Sequence, residues 1–111
     1  MNDDLRRLIS LQELDLLIKE REKEEEAGFH LQGAEEFKKA RETIISLLPP
    51  HLYRKYQRLK ERYGNAVVPV VGGICQGCFI LLPTSLVSQK NKNERIHTCP
   101  NCGRILYWAD E

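Results

Sequence analysis

The residues best suited to chemistry in this sequence are four cysteines, arranged as two close pairs. Cys75 and Cys78 form one C-x2-C pair, and Cys99 and Cys102 form a second, with twenty residues between the pairs. A C-x2-C turn places two thiolates on one ion, and two such turns complete the tetrahedral sulfur set that Zn²⁺ prefers. This spacing is typical of a four-cysteine zinc ribbon. We therefore predict that these cysteines bind one Zn²⁺ ion.

The predicted site is closed, which favours a structural role. Four protein thiolates leave no coordination position for water or substrate. Gly103 follows the second pair, where a positive φ would turn backbone N–H groups toward the sulfurs. Four thiolates already complete the coordination of zinc, so we interpret His97 as a strand surface residue and not as a ligand. The sequence contains no phosphate-binding loop or nucleophile elbow, so we predict that the protein is not an enzyme.

A redox carrier is an alternative that keeps the same four ligands. Iron in rubredoxin-like proteins is also held by four thiolates, on turns that read C-P-x-C-G like the second pair here. The first pair differs because Phe79 stands where a glycine is expected. Visible absorption distinguishes the two hypotheses, since an iron-containing sample is red.

The charge distribution points to two regions with different partners. Residues 1–48 hold eight Lys/Arg and twelve Asp/Glu, a net charge of −4, and residues 49–111 hold nine and four, a net charge of +5. The basic half predicts contacts with nucleic-acid phosphates, although a solvated helix face is the simpler interpretation for its helical part. The candidate nucleic-acid-binding residues, in RNA or DNA recognition, are Arg54, Lys55, Arg58, Arg62, Lys90, Lys92, Arg95 and Arg104.

The N-terminal region, residues 1–64, reads as a helical hairpin or coiled-coil arm. Apolar residues at helical spacing predict a long helix over about 3–48, and we favour a continuous helix over a break near Gly28 and Gly33. Pro49 and Pro50 end it, because a residue before proline is pushed out of the α region. A short helix follows over about 50–63, with Gly64 as its left-handed cap.

The two predicted helices differ greatly in length, about 67 Å against about 21 Å. The short helix can therefore cover only the C-terminal third of the long one. The apolar face of residues 5–18, from Leu5 to Ile18, is then left without a partner in the chain. We expect this face to form a homodimer or to dock a protein partner.

The C-terminal region, residues 65–111, is predicted to be the zinc ribbon, so the fold class is α plus small β. Residues 66–71 are β-prone, and Pro69 suits an edge strand. Residues 83–90 predict one or two helical turns capped by Thr84 or Ser85. A turn is expected at 91–94, and short strands at 95–98 and 104–108.

The expected location is the cytoplasm, without membrane contact. The acidic start of the chain does not resemble a secretory signal, and no apolar run approaches the ~20 residues of a membrane span. Thiols stay reduced in the cytosol, where cysteine pairs bind metal more often than they form disulfides.

The sequence resembles the bacterial family that joins an N-terminal coiled coil to a C-terminal four-cysteine zinc ribbon. The most specific match is the segment CPNCGRILYW, which begins at Cys99 and ends at Trp108. A weaker match, LQELD, begins at Leu11. Further matching residues are Leu48-Pro49, Leu52, Tyr56, Leu59, Gly64, Ala66-Val67, Gly73-Ile74-Cys75-Gln76-Gly77-Cys78, Leu82-Pro83 and Ile96.

The resemblance implies a non-enzymatic role. Members of this family are described as nucleic-acid-binding or regulatory proteins, and some act as chaperone-like factors in flagellar or type III secretion assembly with protein and RNA partners. Typical members have a much longer antiparallel hairpin than this chain. The residues that carry over are the zinc ligands Cys75, Cys78, Cys99 and Cys102.

These considerations lead to a non-enzymatic interaction module, with the helical arm for association and the ribbon for nucleic acid or an adaptor role. A further alternative is an RNA polymerase-binding regulator, which combines a coiled-coil hairpin with a four-cysteine finger. That architecture needs acidic residues at the hairpin tip. The sequence-based tip at Leu48-Pro49-Pro50-His51 contains none.

Overall fold

Four helices and a four-stranded sheet make up the fold, in a computed structural model that describes residues 1–26, 28 and 34–109. A 3-10 turn, Lys92–Glu94, lies between the last helix and the third strand. The helices are α1 (Asp3–Glu26), α2 (Ala34–Leu47), α3 (Pro50–Tyr63) and α4 (Thr84–Val87). The strands are β1 (Val67–Val71), β2 (Ile74–Cys75), β3 (His97–Thr98) and β4 (Ile105–Trp108).

The continuous helix predicted over residues 3–48 is wrong, because the chain forms two helices that fold back on each other. Arg41 on α2 pairs with Asp15 on α1, and the Arg21 guanidinium lies 5.8 Å from the Phe37 ring centre. The later residue on α1, Arg21, thus contacts the earlier residue on α2, Phe37, which shows that the two helices are antiparallel. Gly28 has a φ of +92°, which ends a right-handed helix. Gly33, the other predicted breakpoint, lies outside the described residues.

The second turn follows the sequence prediction closely. Pro50 occupies the first turn of α3, where its missing N–H costs nothing. Gly64 ends the helix in the left-handed conformation, with φ 84°, and its N–H donates to the Lys60 carbonyl at 2.7 Å. In contrast, the N-cap residue of α4 is Pro83, which makes no side-chain cap hydrogen bond, so the predicted cap at Thr84 or Ser85 is not formed.

The sheet has the order β2-β1-β4-β3, which places β1 in its interior. The prediction of an edge strand is therefore wrong. β1 runs parallel to β4 and antiparallel to β2, but β2 pairs only with Val70 and Val71. The N–H donors of alternate residues face opposite neighbours. The Ala66 and Val70 carbonyls accept hydrogen bonds from the β4 side, so Pro69 faces the β2 side, where its carbonyl accepts from the Gln76 N–H at 3.0 Å. Gln76 lies one residue past the end of β2, so the missing N–H of Pro69 removes no hydrogen bond within the β1–β2 pair.

One hydrophobic cluster joins the helices to the sheet. Leu5, Leu8 and Leu11 are fully buried, and they pack in the same cluster as Val67 and Ile105. The expectation that the face of residues 5–18 lacks a partner in the chain is therefore wrong for Leu5, Leu8 and Leu11, whereas Leu16 and Leu17 are 57% and 40% exposed. The homodimer or protein partner expected at this face stays a prediction. Residues on both sides of the predicted domain boundary between 64 and 65 contribute to this cluster. The remaining buried members of the cluster are Leu48, Tyr56 and Ala66.

Among the described residues, no helix combines the length and the apolar character that a bilayer crossing would require.

Candidate metal centre

The two cysteine pairs lie on two turns with the same backbone hydrogen bonds. In the first turn, the Phe79 N–H donates to the Cys75 carbonyl at 2.7 Å, and the Cys75 N–H donates to the Ile80 carbonyl at 3.0 Å. The second turn repeats both bonds at the equivalent positions. Gly103 donates to Cys99 at 2.9 Å, and Cys99 donates to Arg104 at 2.9 Å. The turns are therefore two copies of one zinc-binding knuckle.

The four sulfur atoms converge as a single ion requires. All four Sγ atoms lie within 4.8 Å of one another, and Cys75–Cys102 and Cys78–Cys99 are separated by 3.9 and 3.7 Å. A tetrahedron with Zn–S bonds near 2.3 Å has sulfur–sulfur edges of about 3.8 Å, so the donor set fits zinc. These separations are also far too long for a disulfide bond. The residues that would hold the metal are those predicted from the sequence.

The hydrogen bonds around the sulfurs show how their negative charge would be balanced. The N–H groups of Gly77 and Cys78 point at Cys75, and burial nevertheless raises the pKa of the Cys75 thiol. Burial likewise raises the pKa of Cys102 to about 12, whereas the Asn101 side chain lowers the pKa of Cys78 to about 6. Without a metal the set is therefore not fully ionised at neutral pH. Zinc binding must release protons from the buried thiols.

Phe79 occupies a backbone conformation that usually belongs to glycine. Its φ is +63°, close to the +80° of Gly103 at the equivalent position of the second knuckle. A non-glycine residue pays about 1–2 kcal/mol for this conformation. The Phe79 side chain is 70% exposed, so burial does not offset that cost. The missing glycine thus does not prevent a C-P-x-C-G-type turn, and it no longer counts against a rubredoxin-like site.

Arg104 links the metal centre to the helices. Its guanidinium lies 3.9 Å from the Tyr63 ring centre, and the Tyr63 hydroxyl donates to the Cys102 carbonyl at 2.9 Å. The Arg104 side chain also fills the space beside Gly77, where an added Cβ would collide with it. Arg104 is only 8% exposed, so the prediction that it contacts nucleic acid at the surface is wrong. Its role is to brace the first knuckle against α3.

The other predicted phosphate-binding residues lie on two parts of the chain, the ribbon and α3. Lys90 and Arg95 line a cleft of about 450 Å³ beside the 3-10 turn, together with His97. The Lys92 ammonium donates to the Val87 and Gln89 carbonyls at 3.2 and 3.1 Å, so it is already engaged. The remaining candidates lie on α3, where Lys55 is half-buried and Arg54, Arg58 and Arg62 are exposed.

A buried polar cluster on the helices was not anticipated from the sequence. Asp15 is 8% exposed, and its carboxylate accepts hydrogen bonds from Tyr56 at 2.6 Å and Arg41, with Lys60 at 2.9 Å. Burial alone would raise the Asp15 pKa, but these three partners outweigh it and hold the pKa below its usual value. Burial, followed by the hydrogen bond to Asp15, raises the pKa of Tyr56. The sequence feature that could have indicated this cluster is Arg41, a charged residue at an apolar position of the helical pattern.

Comparison with known proteins supports the metal assignment. The family model for the C4-type zinc ribbon domain matches residues 74–106, which contain all four cysteines. No match of significance was found among curated proteins.

Two solved bacterial structures resemble a larger part of the chain. The HP0958 protein of Helicobacter pylori is 30% identical with a TM-score of 0.61, and CT398 of Chlamydia trachomatis is 29% identical with a TM-score of 0.57. Each alignment covers 68% of this chain and 32% of the other. The chain thus matches about a third of the length of either protein. Residues 74–106 are a C4-type zinc ribbon domain, and this chain carries it next to a helical N-terminal region.

Proposed function

We propose that the protein is a non-enzymatic interaction module of the cytoplasm, and that its zinc ribbon binds the phosphate backbone of nucleic acids. The observation that carries this proposal is the cleft beside the 3-10 turn. Lys90 and Arg95 both line this cleft, and both side chains are exposed. Two free cations in one concave surface suit a phosphate chain better than isolated surface charges do.

The one carboxylate in this cleft is already paired. Glu94 lies 2.8 Å from the amino group of Met1, which compensates its charge. Lys92 keeps its positive charge while bonded to backbone carbonyls, and its ammonium lies 5.5 Å from the Trp108 ring centre. The net potential in the cleft is therefore positive. The amides of Gln89 and Asn91 line the same surface and can donate to phosphate oxygens.

The closed metal centre supports the non-enzymatic part of the proposal. Four cysteine ligands leave zinc no open position at which to activate water or substrate. A reducing compartment keeps all four thiols available for the metal, which is why we place the protein in the cytoplasm.

The test is binding of fluorescent single-stranded RNA and duplex DNA of mixed sequence to the zinc-loaded protein. We expect the double substitution Lys90→Ala and Arg95→Ala to weaken binding about tenfold or more at low salt, and to lower the salt slope for the single strand by about 1.4. The double substitution Arg54→Ala and Arg58→Ala is the matched control, because it removes two exposed cations from α3. Equal losses in both variants, or no binding by the unmodified protein, would refute the assignment to the cleft.

A second candidate is the RNA polymerase-binding regulator, which one structural finding favours. The hairpin formed by α1 and α2 has its tip near Gly28 and not at residues 48–51. The described helix ends beside that tip are acidic and exposed, with Glu24, Glu25 and Glu26 on α1 and Glu35 and Glu36 on α2. Acidic residues at the hairpin tip are what this architecture requires.

In vitro transcription with bacterial RNA polymerase tests the second candidate. The double substitution Glu25→Lys and Glu26→Lys is expected to abolish any effect of the protein on transcript yield. Glu61→Lys on α3 is the control, since Glu61 is an exposed carboxylate away from the tip. If the control variant loses the effect as fully as the tip variant, the tip is not the active element.

A further inference from the structure

An exposed apolar row crosses the sheet at the first zinc knuckle. Val71 pairs with Ile74, and Ile74 forms a bridge with Leu81. Residues directly opposite each other in antiparallel pairs point to the same face, so the three side chains stand in one row. They are 48%, 36% and 74% exposed, and Phe79, two residues before Leu81, is 70% exposed. Val71, Ile74 and Leu81 therefore form one apolar row, and Phe79 adds a further exposed apolar side chain close to it in the chain.

This row lies on the sheet face that the helices cover elsewhere. Val67 and Ile105 share that face by strand alternation, and both are buried against α1. The opposite face carries Val70, Cys75 and Leu82, which pack in a separate buried cluster. The helices thus stop short of the row formed by Val71, Ile74 and Leu81, and leave its part of the sheet open.

The outer edge of the sheet at this point is also open. The Cys75 N–H donates to the Ile80 carbonyl at 3.0 Å, and the Leu82 N–H donates to the Gly73 carbonyl at 2.8 Å. Residues 80 and 82 therefore bond inward to β2. In an antiparallel pair the residue between them turns its own N–H and C=O outward, so Leu81 offers one donor and one acceptor to a further strand.

This edge lacks the protection that natural sheets usually give to their edges. Edge strands are normally guarded by lysines or other charged side chains. Here the sequence contains no Asp, Glu, Lys, Arg or His between Gly64 and Gln89. An uncharged apolar edge is suited to pairing with another apolar strand, and its neutrality gives no reason to expect a charged ligand.

The size of the surface decides between two occupants. The exposed parts of the four side chains amount to on the order of 400 Å². A stable dimer needs about 800 Å² from each partner, so a second copy of this chain would be held weakly by this row. A single extended segment from a partner protein needs less area because its backbone bonds add to the apolar contact.

We propose that residues 79–82 are a docking edge for an extended segment of a partner protein with apolar side chains at alternate positions. The segment adds as a strand beside Leu81, and its apolar side chains cover Phe79, Leu81 and Ile74. Phe79, which has a φ of +63° and is 70% exposed, adds apolar surface at the start of this edge segment. This inference is independent of the proposed nucleic-acid contacts, which involve other residues.

The experiment selects displayed random short peptides on the zinc-loaded protein. Enriched peptides are expected to carry large apolar residues at every second position. A synthesised winner should lose affinity about tenfold or more on Leu81→Lys, a loss of about 1.4 kcal/mol. It should bind normally to Leu16→Lys, the control, since Leu16 is a 57% exposed leucine on α1. Zinc content of each variant verifies that the knuckle is intact.

Backbone pairing is tested separately from apolar contact. A version of the peptide with N-methyl groups on alternate amides should lose binding when those amides face Leu81, and keep it when the other set is methylated. Peptides without the alternating pattern, or equal binding to Leu81→Lys, would overturn the proposal. Sedimentation of the unmodified protein as a dimer that Leu81→Lys converts to monomer would overturn it in favour of a second copy.

Discussion

At the scale of single residues, Gly77 shows how tightly the first knuckle is packed. An added Cβ there would collide with the Arg104 guanidinium, which is buried and stacked on Tyr63. We expect Gly77→Ala to lower the free energy of unfolding by about 1–3 kcal/mol, because the arginine cannot move without leaving the ring. Denaturant titration of the zinc-loaded protein measures this. The neighbouring Gln76→Ala should change it by less than about 0.5 kcal/mol, and a similar loss in both variants would contradict the steric explanation.

Phe79 is a residue at which a large change in side-chain size should alter the free energy of unfolding only slightly. Phe79→Gly removes an exposed ring and relieves the left-handed backbone, whereas glycine adds disorder to the unfolded chain. We expect the free energy of unfolding to stay within about 1 kcal/mol of the original, while selected peptides no longer bind. Gly103→Ala, at the equivalent position with φ +80°, should lower it by about 1 kcal/mol. A loss of several kcal/mol on Phe79→Gly would show that the ring is packed.

The residues that the sequence predicts well are those whose function depends on spacing. The four cysteines were identified because two C-x2-C turns are a local pattern that the structure reproduces. Arg104 and Asp15 could not be placed in the same way. The burial of Arg104 depends on Tyr63, which is distant in sequence, and Asp15 is stabilised by Arg41, Tyr56 and Lys60 from two other helices.

At the scale of elements, Asp15 holds the three long helices together and makes their packing sensitive to acid. Because its pKa is lowered in the folded protein, the unfolded chain binds the proton more readily. The stability it contributes is present above the unfolded pKa near 3.8 and is lost as pH falls through the lower folded value.

The matched variant for this prediction is Asp15→Asn. We expect it to lower the free energy of unfolding by about 1–3 kcal/mol at pH 7, since charged hydrogen bonds are replaced by weaker ones. The difference from the unmodified protein should shrink as the pH is lowered below 4. Acid also releases zinc from both proteins, so zinc content is measured at each pH and only samples that retain the metal are compared. A difference that stays constant with pH would mean that the Asp15 charge is not what matters.

The turn between α1 and α2 illustrates why helix boundaries were harder to predict than helix content. The apolar spacing returns after Gly33, and a pattern that resumes is compatible with one helix or with two. What separates these outcomes is tertiary. Folding back packs Ile44 and Ile45 of α2 against the cluster that contains Leu8 and Leu11, and it pairs Asp15 with Arg41. The strands predicted at 66–71, 95–98 and 104–108 end where the structure ends them and begin one or two residues early, whereas β2 was not predicted.

At the scale of the whole molecule, the shared core means that the helices and the ribbon support each other. Leu5, Leu8 and Leu11 on α1 are buried in one cluster with Val67 and Ile105 of the sheet. Gln12 on α1 strengthens the junction, because its side-chain oxygen accepts from the Val67 N–H at 2.8 Å and its amide donates to the Val67 carbonyl at 2.8 Å. A ribbon that loses its shape therefore exposes the apolar face of α1.

Removal of zinc is accordingly expected to affect both regions. A chelator should shift the fluorescence of Trp108, the sole tryptophan, which is 5% exposed in the ribbon. The helical circular dichroism signal should fall in the same transition. Zinc binding stabilises the folded ribbon, and α1 packs against that ribbon. Added Zn²⁺ should restore both signals together. If the tryptophan signal changes while the helical signal stays intact, the helices form a separate unit and the shared cluster contributes little to their stability.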